Sequence, residues 1–245
     1  MSLPEYIALF LTVIAGGWLS FWYSTFNDQW LKLTLSFSGA YIMGITVLHL
    51  MPGVFEQGGH NAGFWVLGGF FTQLILEQFS RGIEHGHVHA HQHEPASFAI
   101  QVMAGLSLHA FLEGMPLGYF EDFHAHHHQH EEGGQQLLIG IILHKLPAAF
   151  ALVALLIRSG FSRKIAWTCL VIFALMSPLG ALAAGTFNLS GAQIANLLGF
   201  VIGSFLHIST TILFEADDTH QHRVSWRKLG VIILGVALSI GADMI

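Results

Sequence analysis

An all-α membrane protein of eight transmembrane helices is the fold class that the sequence predicts, and three observations predict it. The first is composition. The chain has 245 residues, 53% hydrophobic and 10% charged, with a mean hydropathy of +0.59. Soluble domains carry roughly 25% charged residues, so the excess apolar surface here has to face lipid. The second is segmentation. Eight apolar runs, each near the ~20 residues that cross the hydrocarbon core, lie at Pro4–Tyr23, Leu33–Gly53, Gly63–Ser80, Ala96–Tyr119, Gln136–Ile157, Lys164–Gly185, Gly191–Leu213 and Leu229–Ile245. The third is charge alternation. Lys32, Arg81, Arg158, Arg163, Lys164, Arg223, Arg227 and Lys228 all fall in or beside the connections after spans one, three, five and seven. The other connections and both termini have no Lys or Arg, and the ninth basic residue, Lys145, is inside a span. Basic connections stay in the cytoplasm, which puts both termini outside; an odd number of spans would break the pattern.

Residues 1–245 therefore read as a single membrane domain. The first run has no charged leader and no clear small-residue cleavage site, so it reads as a retained helix rather than a signal peptide. The single cysteine, Cys169, lies in an apolar run and excludes a disulfide framework within one chain. No basic patch suits a nucleic acid. Short connections and the lack of an organelle signal point to a prokaryotic plasma (inner) membrane.

The second and seventh spans hold related stretches, VLHLMPGVFE around His49 and FLHISTTILFE around His207. The two spans cross the membrane in opposite directions. Their likeness suggests an inverted repeat that relates spans one to three with spans six to eight, leaving four and five as the centre. Glu77 near the inner end of span three and Asp243 near the outer end of span eight are acids in apolar runs. Both are expected to reach the headgroup region rather than bind a metal, and Asp243 is an additional entry or exit candidate. Two connections are dense in histidine: the cytoplasmic Glu84–Glu94, within residues 81–95, and the outer Glu121–Glu132, within residues 120–135. Such tracts bind metals weakly and in several arrangements. In the outer one, Glu121, Asp122, His124, His126, His127, His128 and His130 are candidates to collect a cation.

The chemistry concentrates in spans four and five. In Leu108–Gly118 (LHAFLEGMPLG), His109 and Glu113 are four apart and share one helical face. In Leu143–Phe150 (LHKLPAAF), His144, Lys145 and Pro147 enter a second apolar run. Ionisable residues at membrane depth are costly and usually mark an ion or substrate path. Two histidines and a carboxylate suit a divalent transition metal. A purely structural alternative is a buried Glu113–Lys145 ion pair that fixes helix packing.

These motifs resemble the ZIP (Zrt-, Irt-like protein) family of divalent metal transporters. His109-Ala-Phe-Leu-Glu113-Gly114 is similar to that family's fourth-helix H-N-x-x-(D/E)-G motif, and His144-Lys-Leu-Pro147-Ala148 to its fifth-helix (H/Q)-(E/D)-x-P-(H/E) motif. Eight spans, outward termini, a histidine-rich loop after span three and His-Leu-Met-Pro in span two also fit. The resemblance covers essentially the whole chain. It implies uptake of a divalent cation, zinc most often, toward the cytoplasm, frequent homodimers, and a metal site between helices four and five. It also exposes departures. Where the family can hold a second metal, this chain has Ala110, Lys145, Ala148 and Ser177. The expectation is one metal on His109, Glu113 and His144, with the Lys145 ammonium in the second cation's place and Glu113 balancing it. His49 and His207 are the candidates at either side of that site.

No catalytic cofactor is expected, only the transported cation, and no ATP-binding G-x-x-x-x-G-K-[ST] motif is present. Two rival readings remain at this stage. One is a degenerate relative that senses metal without flux. The other is an intramembrane zinc metalloenzyme, against which stands the absence of an H-E-x-x-H motif.

Overall fold

The computed structural model describes residues 1–22, 28–83, 94–124, 133–187, 189–214 and 225–241. Among them every regular element is a helix: α1 (Leu3–Trp22), α2 (Asp28–Ile45), a π-helical turn (Thr46–Leu50), α3 (Met51–Gly58), α4 (Asn61–Ser80), α5 (Ala96–His124), α6 (Gly133–Arg158), α7 (Arg163–Thr186), α8 (Gly191–Phe214) and α9 (Trp226–Gly241). Helices satisfy their own backbone, which lipid requires. The stops and starts follow from local chemistry. Arg81 and Gly82 take left-handed φ values of 53° and 72° to end α4, and Gly160 (φ 86°) follows the end of α6. Ser162 Oγ accepts from the Ile165 N–H to start α7, and Ser225 Oγ accepts from the Lys228 N–H to start α9.

Six of these helical rods are long and apolar enough to cross a membrane: α1, the joined α2–α3, α5, α6, α7 and α8. The α4 helix interrupts its apolar face with glycines, Gln73 and Glu77, and 16 residues of α9 are described. The second span differs from its expected bounds. Pro52 does not end it; the rod continues from Asp28 to Gly58. The π-helical turn makes this possible. The Met51 N–H reaches back to Thr46 O across the wider turn, and Pro52 then sits in the first turn of α3, where its missing donor is not needed. Pro116, Pro147 and Pro178 likewise lie inside continuous helices.

Helices pair where small residues let backbones approach. A Cβ at Gly114 would strike the Ser177 backbone, one at Gly118 the Ala181 carbonyl, and one at Gly180 the Phe111 carbonyl, so α5 and α7 run side by side in parallel. Gly203 meets Val66 O and Gly69 meets Phe200 O between α8 and α4. Gly16 meets Leu146 O between α1 and α6, and Gly235 meets Phe37 O between α9 and α2. The closest packings thus join α5 to α7, α1 to α6, α4 to α8 and α2 to α9. One group, α1, α5, α6 and α7, packs together, and α2–α3, α4, α8 and α9 form a second group; the two groups also pack on each other through α2 on α6 and α4 on α5.

The apolar interior has two parts at different depths. One gathers Phe98, Val102 and Leu106 of α5, Leu152 and Leu156 of α6, and Leu170 and Phe173 of α7. The other gathers Leu117 of α5, Leu137 and Ile141 of α6, and Ala181 and Ala184 of α7. The residues of α5 and α6 that fall between the two are those around Glu113 and His144. Gly203→Val should be poorly tolerated, because its side chain would enter the α4 backbone; overpacking costs about 1–3 kcal/mol. Gly185→Ala faces open space. Thermal unfolding in detergent should show a clear loss for the first and none for the second.

Candidate metal centre

Between the two apolar cores lies a layer of four buried ionisable side chains. His109, Glu113 and His144 are each 2% exposed and Lys145 is 1% exposed. The α5 helix supplies the first two on one face; α6 supplies the others. Glu113 Oε2 is the hub. It lies 3.0 Å from Lys145 Nζ and 3.5 Å from His109 Nε2. Glu113 Oε1 is buried and accepts no hydrogen bond among the described residues. The His109 and His144 rings stand edge to face, with centroids 6.3 Å apart. The Lys145 ammonium also lies over the Phe173 ring of α7, 4.8 Å from its centroid. A cation over an aromatic face gains quadrupole attraction where water is excluded.

The spacing of His109 and Glu113 has chemical content. At 3.5 Å the nitrogen and oxygen are farther apart than in an ordinary N–H···O hydrogen bond. The separation is close to the ~3.3 Å edge of a tetrahedron whose donors are ~2.0–2.1 Å from one zinc ion. His144 is not yet in that polyhedron. Among the described residues no three His, Cys, Asp or Glu side chains form a ready-made cage.

Beyond the motif residues, the structure adds a second layer of partners. Gln73 of α4 is 1% exposed; its Oε1 lies 3.1 Å from His109 Nδ1 and 2.9 Å from Ser204 Oγ of α8. Sequence reasoning passed over Gln73. The available signal was a primary amide in the middle of an apolar run, one turn before Glu77. At the next turn Glu77 hydrogen-bonds His207 of α8, whose ring also meets Phe70 edge-on. The carboxylate of Glu77, expected near the inner end of its span, thus has a histidine partner across the helix pair. His49, at the π-helical turn, places its Nε2 3.1 Å from Ser239 O of α9. Ala110, Ala148 and Ser177 are all buried around the layer. Ser177 Oγ donates to Ala110 O at 2.7 Å, tying α7 to α5 at the place where two of the departures meet. The side chains of Glu121, Asp122 and His124, together with His126, His127, His128, His130, Asp243 and the tract 84–93, lie outside the described residues.

The chain matches the family model of the ZIP zinc transporters over residues 5–99 and 84–242. The chain belongs to the ZIP family. Relatives include a zinc transporter ZIP9-B of Xenopus laevis, 28% identical over 171 residues, covering 63% of this chain and 53% of that protein. A zinc transporter zipt-7.1 of Caenorhabditis briggsae is 20% identical over 89% of this chain and 71% of its own length. A ZIP13 homologue of Drosophila melanogaster, also named a zinc transporter, is 33% identical over 40% of this chain and 29% of its own length. The chain spans about half the length of the frog relatives it matches. These relatives are named as transporters and not as enzymes.

Within this ZIP chain the Glu113–Lys145 pair is a stability element as well. Breaking a buried ion pair from one side strands a charge and costs about 3–5 kcal/mol. Glu113→Gln and Lys145→Met should each lower the unfolding temperature in metal-free detergent, and the double variant should regain part of the loss.

Proposed function

We propose that this ZIP protein moves a divalent cation, zinc foremost, across its membrane toward the cytoplasm by alternating access through one site built from His109, Glu113 and His144. The observation that carries the reading is the buried pair of His109 Nε2 and Glu113 Oε2, spaced as two ligands of one metal. His144 stands beside this pair, its ring centroid 6.3 Å from that of His109, and its closer approach completes the ligand set. Glu113 Oε1 supplies an anionic oxygen with no competing hydrogen bond among the described residues.

Lys145 stands in for a second metal. Its ammonium holds Oε2 of Glu113, and Ala110, Ala148 and Ser177 leave no further ligand around it. A fixed positive charge at about 4–6 Å repels a divalent ion in a poorly solvated site. Binding is correspondingly weak, which favours release over storage.

The two helix groups supply the moving parts. His109, Glu113, His144 and Lys145 all belong to the α1/α5/α6/α7 group, and Gln73, Ser204, Glu77 and His207 all belong to the other. Sliding one group against the other carries the ligands as a unit. The packing supports an eight-span inverted repeat. Exchanging spans one, two, three and four with six, seven, eight and five maps the α1–α6 pair onto α7–α5, and α2–α9 onto α8–α4. His49 and Gly44 both face α9, while His207 and Gly203 both face α4. Gly44 precedes His49 by five residues and Gly203 precedes His207 by four; the π-helical turn holds the extra residue. In this scheme the tract 121–132 collects the cation outside, His49 lies on the way in, and His207 with the tract 84–93 receives it. Basic connections inside place both termini outside the cytoplasm, in a cell membrane.

Zinc flux into liposomes tests the reading. Wild type should exceed protein-free vesicles, and His109→Ala and His144→Ala should abolish the excess. Lys145→Met should keep flux and tighten the apparent affinity by about tenfold, because a repulsive charge is gone. Metal binding without flux in wild type would support the sensor reading instead.

A further inference from the structure

Neutral imidazole has two tautomers, and only the nitrogen without hydrogen can bind a metal. For His109 the two nitrogens face different partners. Nε2 faces Glu113 Oε2 at 3.5 Å, and Nδ1 faces Gln73 Oε1 at 3.1 Å. Both oxygens accept, so they compete for the single imidazole hydrogen. If Glu113 won it, an N–H···O contact would occupy the histidine lone-pair position and one carboxylate oxygen together. If Gln73 wins it, the Nε2 lone pair is aimed at the space beside Glu113. The shorter contact is on the Gln73 side.

An amide has two ends, and the wrong one would reverse the outcome. A Gln73 NH2 facing His109 would demand a lone pair at Nδ1 and push the hydrogen to Nε2. In this structure the Ser204 hydroxyl, 2.9 Å from the same Oε1, donates to it, and the acceptor end of the amide faces both Ser204 and His109. Gln73 and Ser204 are both buried.

We propose that Gln73, oriented by Ser204, is a positioning residue that holds His109 as the Nδ1–H tautomer and so presents its Nε2 to the cation. The proposal rests on the single-site reading above. Orienting partners of metal-bound histidines change metal affinity by about 10–100-fold when removed. The partners here sit in the opposite helix group from His109, on α4 and α8. The tautomer lock is therefore made while the groups stand as they do in this structure, and it is given up when they slide.

The test is zinc flux into liposomes with the full chain, scored per folded protein, together with 15N spectra of histidine-labelled protein in detergent. His109→Ala identifies the nitrogen signals of His109 by difference. Gln73→Leu should raise the KM for zinc about tenfold or more, keep the maximal rate within about twofold, and move the hydrogen of His109 from Nδ1 to Nε2. Gln73→Glu keeps an acceptor at Nδ1 and should keep a hydrogen of His109 on that nitrogen, unlike Gln73→Leu. Ser204→Ala should raise KM about two- to tenfold, the loss of one orienting hydrogen bond. Should Gln73→Leu fail to fold, Ser204→Ala carries the same comparison with the loss of one oxygen. Unchanged KM and unchanged His109 nitrogen signals in the folded variants would overturn the proposal. If His109→Ala also leaves flux and KM untouched, the single-site reading falls with it; if His109→Ala abolishes flux, the site stands and only the role of Gln73 falls.

Discussion

The ion pair between Glu113 and Lys145 sets the terms for the rest of the bundle. Two opposite charges, each almost fully buried, meet at 3.0 Å in the middle of an apolar helix cluster. Neither charge would be tolerated there alone, and each makes the other affordable. The pair fixes α5 against α6, and His109 and His144 are carried into the same layer because they flank it in sequence. The apolar interior divides around that layer into two cores. Glycine contacts between α5 and α7 then hold the layer closed on its third side. Phe173 adds an aromatic face for the ammonium, so Lys145 Nζ has one anionic and one aromatic partner.

The opposing group of helices meets this layer through Gln73. The α4 helix presents Gln73 and Glu77 one turn apart on a single face, and α8 answers with Ser204 and His207. A polar ladder thus runs along the α4–α8 pair beside the buried site. Its first rung touches His109; its second does not depend on the site at all. Small residues keep the helices of each group close, and Gly105 of α5 meets Leu76 O of α4 in the same way across the two groups.

Much of the central site was legible in the chain. The i, i+4 spacing of His109 and Glu113 puts them on one face whatever surrounds the helix, and the buried Glu113–Lys145 pairing followed from two charges with no water to share. Gln73 was not legible. An amide in an apolar run carries no charge cost to draw attention, and its value depends on which helix stands opposite. The pairing of Glu77 with His207 was not legible for the same reason, since the two lie 130 residues apart. The second rod is also longer than its expected bounds, Leu33–Gly53, and the π-helical turn ahead of Pro52 arises from backbone geometry that residue pattern does not encode.

The sequence by itself determined that this is a helical membrane protein of the ZIP family, and it determined which ionisable residues lie inside apolar runs. Those are properties of composition, of period along one helix, and of motif, all of which are local in the chain. Tertiary structure decided which nitrogen of His109 faces Glu113, where the Lys145 ammonium rests, and that α4 and α8 supply the residues behind the site. Those depend on helices brought together from distant segments, where differences of an ångström separate a hydrogen bond from a ligand spacing. No periodicity along a single helix contains that information.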